Sequence, residues 1–203
     1  MWTELASEDI IKRTSEALRG RGVHVEFLKN KEEALKKLRE FIPAEAEITT
    51  GTSTTLNEIG FVDLLKSGDH PWNNLKDKIL QEKGPVKRAE LRRKSVTAEY
   101  FLGSVQAVSQ GGELIIASNT GSQLASYAYS SKNVVWVVGV QKIVRNLEEG
   151  MRRVREYCLP LEDKRMKQAG FAGSSIGKIL IFERETLPYR KLTLIFVNEK
   201  LGF

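Results

Sequence analysis

Cysteine and histidine are nearly missing: the 203 residues hold one cysteine, Cys158, and two histidines, His24 and His70. One thiol closes no internal disulfide, supplies no four-cysteine iron–sulfur cluster and completes no cysteine-rich zinc site. Neither histidine has a neighbouring cysteine or a His-Glu-x-x-His arrangement, so no metal site is expected, and His24 reads as a strand surface residue. A reducing, cytoplasmic setting is the expectation. Long apolar runs are also lacking. The longest, Val134 to Val140, has seven residues counting Gly139, against about 20 for a bilayer-spanning helix. Residues 1–9 show neither the basic start nor the apolar core of a signal peptide. Neither membrane insertion nor secretion is expected.

What is present is globular: 41% hydrophobic and 29% charged residues, without internal repeats, low-complexity segments or a long linker. The length suits one domain over residues 1–203, with residues 1–43 as a helix-strand-helix extension packed on it. Net charge is +6, and six basic residues (Lys83, Lys87, Arg88, Arg92, Arg93, Lys94) crowd residues 83–94, around a helical stretch that opens at Pro85. That patch suits phosphates or a solvated face. It lacks interleaved aromatics and any nucleic-acid-binding signature, which favours the solvated face.

Apolar spacing orders the chain. Ile10, Ile11, Ala17 and Leu18 share a helical face; Val23, Val25 and Phe27 alternate as a strand; Ala34, Leu35, Leu38 and Phe41 mark a second helix. A short strand near 46–50 leads through Gly51 to Thr55 into a helix with Leu56, Ile59 and Leu64. Val105 to Val108 and Leu114 to Ile116 flank Gly111-Gly112 as a hairpin would. Val134 to Val138 reads as a central strand buried on both faces. Leu147, Met151, Val154 and Cys158 form a helical stripe with Asn146 and Glu149 as caps, and 178–183 and 192–197 supply the last strands. Alternating strands and helices predict an α/β fold: an open, mainly parallel sheet with helices on both faces.

Such sheets bind ligands beyond the carboxyl ends of their strands. Three segments are expected there. Gly51, Thr52, Ser53, Thr54 and Thr55 offer hydroxyls beside a glycine; Ser118, Asn119, Thr120, Gly121, Ser122 and Gln123 offer hydroxyls and amides; Gly139, Gln141 and Lys142 follow the buried strand with a cation. Together they predict a receptor for a small anionic metabolite. Glu58 has two readings: a general base or nucleophile, or the acidic end of a capping box, Thr55-Leu56-Asn57-Glu58. Loop and N-cap duty is the bland alternative for 118–123, and solvation for Lys142.

Other signatures fail. Residues 172–178 have Walker A spacing, but Ile179 replaces the Ser or Thr and the segment precedes a strand; no Gly-x-Gly-x-x-Gly follows a strand. Cys158, on an apolar stripe, reads as inert packing.

Gly51 to Gly60, Ser118 to Gln123, Val134 to Val144, Arg152 to Arg155, Leu159 to Asp163 and Glu199 to Phe203, in that order and spacing, resemble the LUD family of lactate-utilisation proteins. The resemblance implies a fold like the sugar-isomerase, ribose-phosphate-isomerase and CoA-transferase superfamily. It also implies an accessory or substrate-binding role in oxidising lactate to pyruvate, with partner subunits holding the iron–sulfur clusters and none bound here. Homo-oligomers fit as well. Ala117 to Ser122 stands where many relatives carry Asp-Gly-Thr-Gly-Asn, and Gly170 to Ser175 where some carry cysteines, which points to a cysteine-free branch. The superfamily offers an alternative, a free-standing isomerase, CoA transferase or cyclo-ligase using Glu58, and the basic helix a weaker one, nucleic-acid binding.

Overall fold

The computed structural model describes residues 2–203. The chain runs α1 (Glu8–Gly20), β1 (Val23–Leu28), α2 (Lys31–Phe41), β2 (Glu47–Thr50), α3 (Thr54–Glu58), α4 (Phe61–Ser67), β3 (Asn73–Asn74), α5 (Leu75–Gln81) and α6 (Pro85–Lys94). It continues through β4 (Tyr100–Gly103), β5 (Ala107–Ser109), β6 (Leu114–Ser118), β7 (Asn133–Gly139), β8 (Ile143–Val144), α7 (Leu147–Arg153), α8 (Leu159–Gln168), β9 (Lys178–Phe182) and β10 (Lys191–Val197).

Six strands, in the order β1-β10-β7-β4-β2-β3, form one sheet, and every pairing in it is parallel. Its centre is β7, whose residues Val134 to Val138 are all fully buried, as a continuous β-branched run on a two-faced strand requires. Side chains alternate between the faces. Val134, Trp136 and Val138 join one apolar cluster and Val135 and Val137 the other. Each such burial stabilises by roughly 1.5–3 kcal/mol.

Helices flank both faces, as the sequence predicts: α2, α3 and α4 pack Leu38, Leu56 and Phe61 on one, and α1 packs Ile11 and Leu18 on the other. Unexpected is a second sheet, β8-β5-β6-β9, that shares the α1 side. It contains the β5–β6 hairpin read from Gly111-Gly112. Leu114 and Ile116 face the main sheet, whereas Ile115 turns outward to Val154 and Met151. Both faces of β6 are thus covered, and its sequence reads as an unbroken apolar run. Residues 178–182 pair antiparallel with β6 instead of extending the main sheet. β1 supplies an edge strand of the main sheet beside β10.

Gly103 shows how tightly the layers meet. It lies opposite Trp136 in the register, and a Cβ there would sit 1.8 Å from the Tyr127 hydroxyl. The missing side chain makes room for that ring.

Candidate functional site

Because β7, β4 and β2 are adjacent and parallel, their carboxyl ends open on the same rim. A cleft of about 380 Å³ lies there. Gly51 to Thr55 follow β2, Ser104 to Gln106 follow β4, and Lys142 ends the 3-10 turn Val140–Lys142 after β7. Ser118 at the end of β6, with Asn119, Thr120, Ser122 and Gln123 after it, forms a further wall. Direct contacts join these segments. Gly51 lies so close to Gln123 that a Cβ would be 2.6 Å from its Oε1, and Lys142 Nζ donates to Thr55 Oγ1 at 3.0 Å.

Lys142 is the chemical centre. Its side chain is 1% exposed, yet it lines the cleft. Nζ also donates to Ser104 Oγ at 3.1 Å and to the Val105 carbonyl at 3.2 Å, so its three partners are all neutral. Burial, reinforced by the like charge of Arg153, brings its pKa down to about 7, against weaker opposing pulls from Cys158 and Glu58. A buried cation without a counter-charge is costly, and an anion in the cleft relieves that cost.

The loop after β2 differs from its sequence reading. Ser53, not Thr55, is the N-cap of α3, and its hydroxyl accepts from Leu56 N–H at 3.2 Å. Thr55 is instead buried beneath Lys142. The capping box is therefore absent: Glu58 is exposed, lies outside the cleft, and accepts from Gly202 N–H at 2.6 Å. Its carboxylate ties down the chain near Leu201. Replacing Ser53 with alanine is expected to cost about 1 kcal/mol, measurable by denaturant unfolding; no change would mean that water serves the cap equally well.

Helix termini contribute less than expected. α3 has only five residues, residues 126–130 after the 118–123 loop form a π-type turn, and a 3-10 turn follows β7. Hydroxyls, amides and one amine line the rim instead. Gly121, Gly139 and Gln141 fall outside the cleft lining. Gly121, at φ +84°, packs on Lys178; Gly139 lets Glu199 and Leu201 pass close by; Gln141 Nε2 donates to the Leu201 carbonyl at 2.8 Å. The last two act behind the site, holding the 199–201 segment against Lys142's turn.

Several cleft residues escape sequence reading. Ser104 and Gln106 look like strand continuation. Tyr127 belongs to the π-type turn Ser126–Ser130, and Cys158 closes another, Val154–Cys158. Such turns recur at functional sites but leave no clear sequence mark. Cys158 is buried on the cleft wall with Arg153 Nη1 at 3.0 Å from its sulfur, and burial pushes its thiol pKa up. The outer wall carries the Glu162–Arg165 ion pair, 2.6 Å.

Among the described residues, no group of three or more His, Cys, Asp or Glu side chains is arranged to hold a metal ion, and no helix is long and apolar enough to cross a membrane. α6, with its basic residues, has no buried side chain and does not line the cleft.

No curated protein matches this chain. Among solved structures it is similar to a DUF162-family protein from Deinococcus radiodurans, with a TM-score of 0.58 at 13% identity over 96% of this chain and 100% of that one. Matches with lower TM-scores are eIF2B beta from Chaetomium thermophilum (0.39, 13% identity, 61% of this chain and 42% of that one covered) and a D-ribose-5-phosphate isomerase in complex with phospho-erythronic acid (0.40, 12% identity, 84% and 95% covered). At the level of sequence, the family model of the LUD domain matches residues 11–177. The chain belongs to the LUD domain family.

Proposed function

We propose that this LUD-domain protein binds a small anionic metabolite in the rim cleft, as an accessory or substrate-binding subunit in oxidation of lactate to pyruvate. Any iron–sulfur cluster of that reaction belongs to partner subunits, because one buried thiol cannot hold one. The observation that carries the reading is Lys142: a buried amine on the cleft wall whose hydrogen-bond partners are all uncharged. A carboxylate or phosphate supplies the missing charge, and Ser53, Thr54, Ser104 and Asn119 offer donors to its remaining oxygens. The alternative of a free-standing enzyme acting through Glu58 has less support, since that carboxylate faces Gly202 from outside the cleft.

A thermal-shift screen with monocarboxylates, dicarboxylates, sugar phosphates and CoA esters tests the binding. Ligands of the native state raise its melting temperature, by about 2.7 kcal/mol of apparent stability at a hundredfold excess over Kd. At least one anion class is expected to do so, and a flat response to all of them counts against the cleft as a receptor. The lactate role is tested by reconstitution with candidate iron–sulfur subunits, where omitting this chain should lower lactate-dependent electron transfer.

A further inference from the structure

We propose that Lys142 is a nucleophile that condenses with the carbonyl carbon of a 2-oxo acid held in the cleft, forming a reversible imine. The proposal rests on the anion-binding reading and adds the ligand's chemical class: a carbonyl next to a carboxylate. Three observations support it. The amine is fixed at the end of the buried β7 by a turn whose three residues are all buried, so it meets the cleft in one defined place. Two of its three partners, Thr55 Oγ1 and Ser104 Oγ, are hydroxyls at 3.0 and 3.1 Å. Hydroxyls accept from an ammonium and donate to an amine, so the site holds both protonation states with no orphaned group. The third is the second cation: Arg153, fully buried, with its Nε and Nη2 unpartnered, adds its charge against protonation of Lys142. A desolvated lysine beside another cation is the arrangement that keeps an amine nucleophilic.

The step balances without an outside reagent. The Nζ lone pair forms the C–N bond while the carbonyl π pair moves to oxygen. That oxygen takes a proton delivered through Ser104 or Thr55, and nitrogen gives one back to the same relay. The carbinolamine hydroxyl then takes the remaining N–H proton through the same relay and leaves as water while the nitrogen lone pair forms the C=N bond. Hydrolysis reverses every step. The substrate carboxylate lies among the hydroxyl and amide donors of the Ser53 and Asn119 walls, which also orient the carbonyl toward Nζ.

Trapping tests this on the intact protein. Pyruvate or glyoxylate with cyanoborohydride near neutral pH converts an imine to a stable secondary amine. The mass gain is that of the oxo acid plus two hydrogens less one water. It is expected on the peptide spanning residues 133–145, at Lys142, well ahead of the exposed lysines of α6, and an excess of a non-carbonyl carboxylate should slow it. Lys142→Arg keeps a cation and should lose the adduct. Ser104→Ala, which leaves the amine in place, should slow trapping at least several-fold without moving its site. Stabilisation by these acids with no adduct would overturn the imine and leave the anion reading standing. Absence of the adduct together with no stabilisation by any anion class would overturn the two together. Labelling of surface lysines as fast as Lys142 would also overturn the proposal.

Discussion

Replacing Lys142 with methionine is expected to abolish the anion-induced rise in melting temperature and to flatten the pH dependence of the free protein's stability. The folded pKa of about 7 lies below the ordinary lysine value of 10.5. Between these values the unfolded chain carries a proton that the folded chain does not. Stability therefore rises with pH across this window, by up to about 1.4 kcal/mol per unit. Below about 7 the amine is charged in both states, and the stability deficit from burying that charge is fully present. Methionine fills a similar volume without a charge, so the variant should match the wild type near pH 9 more closely than near pH 6, where it should be the more stable. Tyr127, whose hydroxyl pKa burial raises, is common to both proteins and cancels in the difference. Denaturant unfolding at several pH values between 6 and 9.5 measures it. Parallel curves for the two proteins would sink the assignment of a neutral buried amine.

Arg190→Met should produce the largest loss of stability, about 3–5 kcal/mol, or roughly 10 °C in melting temperature. Arg190 is 6% exposed, and its guanidinium binds the first three carbonyls of the π-type turn Ser126–Ser130 and the one just after it. Nε donates to the Ser131 carbonyl at 3.0 Å, Nη1 to Ala128 at 3.0 Å, and Nη2 to Ser126 at 3.1 Å and Tyr127 at 3.0 Å. Nη1 also pairs with Glu185 Oε2 at 2.6 Å. Removing the guanidinium takes a donor from four carbonyls and the counter-charge from the Glu185 carboxylate, which keeps only the Thr186 and Leu187 N–H groups on Oε1, and each carbonyl left without a donor costs about 1–3 kcal/mol before relaxation. The turn carries Tyr127, whose ring packs on Trp136 between the two sheets and lines the cleft. Ligand affinity should fall with stability. Lys at this position restores charge but cannot reach the same set of carbonyls, so only partial rescue is expected. A loss below about 1 kcal/mol would mean that water replaces the guanidinium without penalty.

How far the sequence reaches is clearest at β7 and the cleft loops. A run such as Val134 to Val138 has one stable home, a strand covered on both faces, and finding it places Lys142 at a sheet rim. Once that sheet is parallel, the β2 and β7 loops must open on one side, and Ser53, Asn119 and Lys142 do line one cleft. The second sheet as a whole is not legible, because the apolar residues of Leu114 to Ile116 and Lys178 to Phe182 mark strands without showing which strand each sits beside in a separate sheet. Nor is the fate of Glu58. A capping box and a tether to Gly202, 144 positions away, use the same carboxylate, and only tertiary packing chooses between them. The long-range reach of Arg190 and the π-type turns at Tyr127 and Cys158 are hidden likewise, for their partners are backbone carbonyls, which every sequence has.

The most direct test of Lys142 as the anion receptor is calorimetric titration of whichever carboxylate or phosphate stabilises the protein, above pH 7 and in buffers of differing ionisation heat. Arg153, Cys158 and Glu58 are the charged or titratable neighbours whose fields act on the amine. An incoming anion adds a stronger one and restores its proton. Expected is uptake of up to one proton on binding, with affinity falling about tenfold for each pH unit above about 7. Binding that takes up no proton, keeps its affinity from pH 7 to 9 and survives Lys142→Met would contradict it.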